Sequence, residues 1–536
     1  MPVFSQENSK KKERPKKKPL PIGLLVNDSS ASPGYTLYSP MHSSLTLLID
    51  INGKVVHYWQ NDYNPISVYL LPSGNLLYLG RIKPPNSMFD AGGKSGVVQE
   101  VTWDGDLVWE YEYSSLTYCI HHDIKRLPNG NTLMIAWEMI SKKDAIAAGR
   151  NPDAIGMRGL WPDKIIEVKP TGKETGEIVW QWRAWDHIVQ DFDPRKKNTY
   201  KKSLKDSPRL ININPDDWKN NITGDELKKL KSLGYVSSRK KKNKFEPDFT
   251  HINSVDYNAT HDQIVLSVLG FSELWVIDHS TTTAQAASHS GGRYGVGGDL
   301  LFRWGNAFAS GQGALTDQVF FSQHNVHWIE AGKPGAGNFL LFNNGLSRPL
   351  DKYSTIIEIG LGPEEDGVYT KQSHKIKPVW EYQAPKKKTF YSEHISGVQR
   401  LLNGNTFICE GAKGNMFEVT PAGKIVWQYV SGIEREYLLK PKRKKNGQGR
   451  VRLPKSKKPR FPRRSVFRAT KIMPGFSGLK GKTLTPTVTV SELLKKAINS
   501  VEDFNKLNNK NNSSDNNRQQ GIKKRKNTEI NIKPRE

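Results

Sequence analysis

Short apolar stretches separated by glycine- and asparagine-rich turns recur along most of this chain. The pattern is clearest in Ile124-Lys-Arg-Leu-Pro-Asn-Gly-Asn-Thr-Leu133 and in Val398-Gln-Arg-Leu-Leu-Asn-Gly-Asn-Thr-Phe407. Each is followed by an apolar strand and then by a hairpin that ends in Val-Trp-x-Tyr or Val-Trp-x-Trp. Self-similar segments of this kind indicate a repeat architecture, and short strands punctuated by Gly and Pro indicate an all-β fold.

The repeat predicts how many units the fold contains. Five full units begin near Val68, His121, His251, His324 and His394. Residues 34–59 form an incomplete unit with an Asn-Gly hairpin turn, and residues 465–472 form one more strand near the other end of the chain. We therefore predict a six-bladed β-propeller in which N- and C-terminal strands share a blade, because that arrangement closes the ring and removes its open edges.

The domain organisation follows from where the repeat begins and ends. The propeller is predicted to occupy residues 21–482, with insertions near 186–250 and 431–464 and a helical pattern at 225–233. Residues 1–20 form a basic tail that is predicted to be disordered, and residues 483–536 form an Asn/Lys-rich tail that is predicted to be largely disordered.

The net charge of +27 is concentrated in three short runs at 10–18, 239–244 and 440–464, which together account for +24. Such runs are usually solvated, and they lack the interleaved aromatic residues of a groove for single-stranded nucleic acid. We therefore expect no specific nucleic-acid partner, although salt-sensitive attraction to polyanions is consistent with this charge.

Other global features narrow the class of protein. No apolar run reaches the length of a transmembrane helix, and the apolar stretch at 21–26 is too short for a signal-peptide core. As written, the sequence predicts an intracellular protein, unless its true start lies upstream. Cys119 and Cys409 have no metal-type spacing and are expected to be reduced thiols. The sequence carries no signal for an oligomeric state.

Three histidines stand at equivalent positions of the repeat. His251, His324 and His394 each precede an apolar strand residue by four places, and His122 lies near that register in the second unit. The first strand of every propeller blade lines the central channel and runs in the same direction, so these positions meet at one mouth. A single histidine at a strand start is usually a structural hydrogen-bonding residue, but three at one register favour a functional cluster.

Polar residues accompany two of these histidines. Arg348 follows the second strand of the fourth unit, in a loop that should reach the same mouth, and a guanidinium suits a tetrahedral oxyanion. Asn325 and Asn344 are predicted to bind substrate beside it. The remaining histidines show no common register and are expected to be surface or core residues: His42, His57, His187, His261, His279, His289, His327 and His374.

These segments resemble the arylsulfotransferases that take a sulfuryl group from aryl sulfates and not from a nucleotide. The resemblance is carried by His121-His-Asp-Ile-Lys-Arg-Leu-Pro-Asn-Gly-Asn131, Trp185-Asp-His-Ile-Val-Gln-Asp-Phe-Asp193, Gln323-His-Asn-Val-His-Trp328 and Phe390-Tyr-Ser-Glu-His-Ile-Ser-Gly397. It implies a six-bladed propeller with histidines and an arginine at the channel, and it implies aryl sulfates and phenols as small-molecule partners, with no cofactor.

The resemblance also implies a mechanism. One histidine attacks sulfur, expels a phenolate and becomes sulfo-histidine, after which a second phenol takes the sulfuryl group. His394 matches this nucleophile, while His251, His324 and Arg348 match the groups that hold the sulfuryl oxygens and move the phenolic proton. His122 is expected beside them as a further catalytic group.

Two other functions stay open from the sequence. One is a non-catalytic propeller that uses the same mouth to bind an anionic, glycan or peptide ligand without turnover. Alternatively, the three imidazoles hold Zn or Cu, since both metals accept imidazole ligands.

Overall fold

A computed structural model describes residues 21–495 apart from 42, 83–85, 197–203, 216–246, 347, 361–365, 370–375, 433–463 and 494. The predictions made for residues 1–20, for a helix at 225–233 and for most of 483–536 lie outside the described residues, as do nearly all of the three basic runs. The described chain is all-β, and its main sheets form the six blades of a propeller. This confirms the fold predicted from the repeat.

Blades two to six follow one another along the chain, and each is an antiparallel sheet whose first strand is innermost. The strands of blades two, three and four are, in that order, β5 (Asn64–Leu70), β6 (Leu76–Arg81), β7 (Gly96–Val101), β8 (Leu107–Glu112); β9 (Tyr118–Arg126), β10 (Thr132–Glu138), β11 (Asp163–Gly172), β12 (Thr175–Arg183); and β15 (Ile252–Asn258), β16 (Gln263–Val268), β17 (Glu273–Asp278), β18 (Phe302–Trp304). Those of blades five and six are β19 (His324–Trp328), β20 (Phe339–Asn343), β21 (Thr355–Ile359), β22 (Pro378–Tyr382); and β23 (Gly397–Arg400), β24 (Thr406–Glu410), β25 (Asn415–Val419), β26 (Ile425–Val430).

Strands that are far apart in the sequence pair with each other in two of the blades and so close the ring. In the first blade, β27 (Val466–Ile472) is the innermost strand and pairs antiparallel with β2 (Tyr35–Pro40), which is followed by β3 (Leu45–Ile49) and β4 (Val55–Gln60). In addition, β1 (Gly23–Asn27) pairs with β26 as a fifth strand on the sixth blade. The shared blade was predicted, whereas β1 was not.

The tryptophan of the Val-Trp motif explains why the motif recurs on outer strands. The indole Nε1 of Trp109 donates to the carbonyl of Thr175 at 3.0 Å, and that of Trp427 donates to the carbonyl of Ile51 at 2.7 Å. In each case the acceptor belongs to the next blade around the ring. A buried aromatic side chain with its one polar atom satisfied therefore joins neighbouring blades.

The remaining elements are short. They include α1 (Lys142–Ala147), α2 (Thr283–Ala286) and a parallel pair formed by β13 (Ile188–Val189) and β14 (Ile211–Asn212). Among the described residues, no helix combines the length and apolar character needed to cross a bilayer. Short 3-10 turns lie at Pro152–Ala154, Ala184–His187, Leu204–Asp206, Ala307–Ser310, Leu315–Asp317, Lys387–Thr389, Gly411–Lys413 and Ser477–Leu479.

Candidate functional site

Unusual backbone conformations gather where the innermost strands of blades three to six begin. Positive φ angles occur at His122 (57°), His251 (49°), Asn325 (56°) and Ile395 (52°). Non-glycine residues rarely adopt this region, and such strain clusters at functional sites when the surrounding structure holds it in place. In the inner strands β9 and β19 it coincides with breaks in the pairing register, which re-aim the side chains of His122 and Asn325.

His122 lies at the end of a buried relay. The Nε2 atom of His121 is 2.7 Å from Asp163 Oδ1, and the Nδ1 atoms of His121 and His122 are 2.7 Å apart. Because the carboxylate only accepts, His121 carries its proton on Nε2 and accepts at Nδ1 from His122. Burial lowers the pKa of His122 well below its usual value, and three neighbouring imidazoles and Arg468 add to this effect. The His122 ring is therefore neutral, and its Nε2 atom takes no part in the hydrogen bonds that join His122, His121 and Asp163.

His251 has the opposite electrostatic setting. Its ring centroid is 4.7 Å from that of His122, and its Nδ1 donates to Asp248, which also accepts from the indole of Trp137 at 2.9 Å. Burial opposes a charge on His251, but Asp248, assisted by Asp163, more than offsets burial and raises its pKa. The pKa values of His122 and His251, whose rings are in contact, are therefore shifted in opposite directions.

His324 is held by the predicted asparagine. Its Nδ1 donates to Asn344 Oδ1 at 2.8 Å, and the amide of Asn344 donates to the carbonyls of Ser392 and Ile395, each at 2.8 Å. Burial lowers the pKa of His324 to about 3, so this ring is neutral at physiological pH. Asn344 thus connects His324 to the loop that contains His394.

Arg468 is a functional-site residue that was not predicted. Its NH1 donates to Asp123 Oδ2 at 2.8 Å and to the hydroxyl of Tyr69 at 2.7 Å, and its side chain is only 9% exposed. Its Nε and NH2 atoms are buried and have no hydrogen-bond partner among the described residues. Buried donors of this kind call for a bound water or ligand. An arginine between Phe467 and Ala469 in the predicted strand was the available sequence signal.

Two predicted residues lie differently from expectation. His394 is near the mouth, but its side chain is 56% exposed and lies beside Glu393, with 3.6 Å between Nδ1 and Oε1, and the described structure shows no contact of this ring with the other three. Arg348 stacks on Tyr353, with its guanidinium 4.3 Å from the ring centroid, and it also lies over Phe321. The geometry places Arg468 close to His122 and His324, while the role predicted for Arg348 stays a prediction.

The predicted Asn325 has a backbone partner. Its Oδ1 accepts from the backbone N–H of Val398 at 2.9 Å, which links the inner strands of blades five and six. Asn325 and Arg468 also line a cavity of about 690 Å³ in the channel, together with Lys125, Asp256 and His327. Its described lining does not include His122, His251 or His324, so this cavity is distinct from the space between those rings.

The site therefore contains His122, His251 and His324, with Asn344 behind one ring and Arg468 beside two of them. A neutral imidazole acts as a nucleophile or a base, and an imidazole with a raised pKa acts as an acid. A guanidinium with unused hydrogen-bond donors attracts an anion. The carboxylates beside these groups are each hydrogen-bonded to a basic side chain: Asp163 to His121, Asp248 to His251 and Asp123 to Arg468. The set suits transfer of an anionic group better than hydrolysis by two carboxylates.

Comparison with known families identifies the family of the chain. The family model described as "Arylsulfotransferase (ASST)" matches residues 25–436, which include all blades except the closing strand β27. The chain belongs to the arylsulfotransferase family. Membership supports a sulfotransferase that acts on small aryl compounds. The family predicted from the sequence motifs is thereby confirmed.

Other comparisons add little to the arylsulfotransferase assignment. Comparison with curated proteins gives no match. Similar solved structures include a protein of unknown function from Bacteroides caccae (12% identity, 74% of this chain and 93% of that chain, TM-score 0.39). They also include a periplasmic gluconolactonase from Pseudomonas aeruginosa (10% identity, 76% and 85%, TM-score 0.35). These scores are too low to carry an argument.

Proposed function

We propose that this arylsulfotransferase moves a sulfuryl group from an aryl sulfate to a phenol through a sulfo-histidine on His394. The observation that carries the proposal is the buried guanidinium of Arg468, whose Nε and NH2 have no hydrogen-bond partner among the described residues, beside two imidazoles that burial keeps neutral. A sulfate ester is a tetrahedral anion with three peripheral oxygens, so it matches a site with unused charged donors.

The first half-reaction forms a bond between an imidazole nitrogen of His394 and sulfur, and it breaks the bond between sulfur and the aryl oxygen. The departing phenolate receives a proton from His251, whose pKa is raised by Asp248 despite its burial. Arg468 stabilises the sulfuryl oxygens, while His324, whose single proton is on Nδ1, accepts a hydrogen bond from the phenol at its Nε2. The products are sulfo-histidine and a neutral phenol.

The second half-reaction reverses these roles. An acceptor phenol gives its proton to the now neutral His251, and its oxygen attacks sulfur while the sulfur–nitrogen bond breaks. His394 is restored as a free imidazole, and His251 is again protonated. No external acid, base or cofactor is needed for this balance.

The position of His394 fits a nucleophile that works at the entrance. Its side chain is half exposed, and its loop is bound through Ile395 to Asn344, which also orients His324. The proposed mechanism requires the ring to rotate away from Glu393 and toward the mouth. Arg348 stays a prediction as a second sulfuryl-binding group, since its loop is adjacent although its guanidinium stacks on Tyr353.

A single-turnover reaction with 4-nitrophenyl sulfate tests the proposal. Donor alone should release one equivalent of nitrophenol and add one sulfuryl group to the protein, and peptide mapping should place the group on His394. His394→Ala should lose both signals, whereas His57→Phe should keep them, because His57 lies on β4 of the first blade and stacks on Trp103 of the second blade.

Two results contradict the proposal in different ways. A label on His122 or His324 in wild type would keep the chemistry and exclude His394 as the nucleophile. Saturable binding of the sulfate ester without any release of nitrophenol would exclude catalysis and would favour a non-catalytic anion-binding propeller.

A further inference from the structure

Two histidines outside the channel meet on one carboxylate. His187 Nδ1 is 2.8 Å from Asp299 Oδ1, and His289 Nδ1 is 2.7 Å from the same oxygen. His187 is fully buried and ends a 3-10 turn after the third blade, whereas the side chain of His289 is 61% exposed in the loop between β17 and β18. From the sequence both had been expected to be ordinary surface or core residues.

The hydrogen bonds of His187 direct its Nδ1 atom at the carboxylate of Asp299. Its Nε2 donates to the carbonyl of Ala286 at 2.8 Å, so Nε2 carries a proton. Nδ1 is the ring nitrogen left to face Asp299, and a cation bound between them would replace their direct contact. Metal-bound histidines typically donate their other ring N–H to a backbone carbonyl in this way.

The surroundings hold the three side chains in place. The His187 ring stacks on Trp182 with an interplanar angle of 4°, and the Trp182 indole donates to the carbonyl of Gly298 at 2.7 Å. A Cβ atom on Gly298 would lie 2.5 Å from His187 Nε2, so glycine is required for this close approach. The buried His187 is held rigidly and fixes the geometry of the site, while the exposed His289 leaves a path by which an ion can enter.

The charge and number of donors fit a transition-metal ion. Among the described residues, His187, His289 and Asp299 are the group whose ligand atoms all lie within 4.8 Å of one another. Around a tetrahedral ion with bonds of about 2.0 Å, the ligand atoms lie roughly 3.3 Å apart. Small shifts of the three side chains would therefore separate their hydrogen-bonded atoms enough to admit the ion. Imidazole and carboxylate donors suit Zn²⁺ and its first-row neighbours.

We propose that His187, His289 and Asp299 bind one divalent transition-metal ion of the Zn²⁺ class, with water as the fourth ligand. The ion joins the end of blade three to the β17–β18 loop of blade four and so acts as a structural clamp. None of the three ligands belongs to the histidine cluster of the channel, so this site is separate from the proposed sulfuryl-transfer site and does not depend on it.

Metal analysis of the full chain, purified without a histidine tag, tests the site. After dialysis against micromolar Zn²⁺ and then against metal-free buffer, wild type should retain about one Zn²⁺ per chain. His289→Ala and Asp299→Asn should each lose it, and His289 is exposed enough that its replacement should leave the fold intact. Replacing Zn²⁺ with Co²⁺ should give a visible absorption band that His289→Ala lacks.

A second set of variants separates this site from a metal at the channel. His251→Ala and His394→Ala should retain the ion, and added Zn²⁺ should raise the thermal midpoint of these variants and of wild type but not of His289→Ala. The proposal is overturned if wild type retains no Zn²⁺, if His289→Ala and Asp299→Asn both retain it, or if His251→Ala loses it while His289→Ala does not.

Discussion

His121 and His122 are joined by one hydrogen bond between their Nδ1 atoms, 2.7 Å apart. Consecutive residues of a regular strand point to opposite faces, so their rings meet only because His122 has a φ of 57° and the pairing of β9 is broken there. Asp163 fixes the outer end of this relay, and His122 presents the other end to the channel. The backbone distortion thus sets the tautomer of a ring at the candidate site.

Replacing His121 should impair catalysis through His122. His121→Phe keeps the stacking on Trp137, whose ring centroid is 3.8 Å away, but it removes the acceptor for His122 Nδ1. His122 is then free to adopt the other tautomer, and we expect the transfer rate to fall by roughly 10-fold or more. Initial rates over a range of pH measure the effect, and the pH profile should also change shape.

The matched control is His57→Phe, which likewise replaces a histidine stacked on a tryptophan, 4.0 Å between ring centroids. It should change neither the rate nor the pH profile. Equal losses of rate in both variants, with unchanged pH profiles, would mean that His121 has only a packing role. His121 is a positioning residue in this prediction.

Arg468 should be required for binding the aryl sulfate, and this role should be separable from its ion pair with Asp123. Arg468→Met leaves Asp123 buried without its partner and should destabilise the fold by about 3–5 kcal/mol. The double variant Arg468→Met with Asp123→Asn should regain most of that stability, yet it should still fail to consume aryl sulfate. Urea unfolding and donor-dependent rates measure the two effects. Recovery of activity along with stability would limit Arg468 to a structural role.

A glycine beside His122 should be sensitive to one added methyl group. Gly93 has a φ of +72°, and a Cβ atom there would lie 2.3 Å from the His122 ring. Gly93→Ala should therefore displace the ring, and a displacement of this size costs roughly 100-fold in rate. Gly105→Ala is the control, since Gly105 has a φ of +93° with nothing within 4 Å of the added atom. Both should lose stability from backbone strain, but only Gly93→Ala should lose activity.

The stability of the fold should decline between about pH 6.5 and pH 9 because of His279. This ring lies 2.6 Å from Asp262 and 2.9 Å from Glu167, and these carboxylates overcome the effect of burial and raise its pKa to about 9. A raised folded-state pKa stabilises the fold fully below the unfolded value of 6.5, and the contribution is lost as pH rises through 9. Its size is about 3 kcal/mol at most.

His279→Gln provides the comparison for this pH effect. Glutamine donates to a carboxylate but does not titrate, so the variant should be less stable than wild type at pH 6 and nearly equal to it at pH 10. The free energy of unfolding in urea at both pH values gives the measurement. A constant difference between the two proteins would show that the charge on His279 does not stabilise the fold.

The sequence was sufficient for the ring and for part of the site. The Leu-Pro-Asn-Gly-Asn turns mark the ends of innermost strands, and strands that start at the same end of a propeller bring His251 and His324 together. This inference needs only the repeat and the common direction of the strands. The family motifs are concentrated in the same segments, so the family was also predictable.

The rest depended on contacts that a linear pattern does not carry. Arg468 occupies an inner strand that completes the first blade from the far end of the chain, so its neighbours are Tyr69 and Asp123. Arg348 meets Tyr353 because its loop folds back on itself. His289 and Asp299 reach His187 through a glycine-rich loop whose path does not follow the strand repeat. In each case long-range packing decides which partner a charged or aromatic side chain finds.

The pairing of β27 with β2 has a consequence for biosynthesis. A nascent polypeptide that has left the ribosome only as far as Val430 already contains the strands of five blades and the outer three strands of the first. It still lacks Val466–Ile472, and therefore the guanidinium that faces the imidazoles. Under the proposed mechanism, a chain that terminates before Arg468 lacks the guanidinium that binds the sulfate ester, so the site is completed only once β27 has been made.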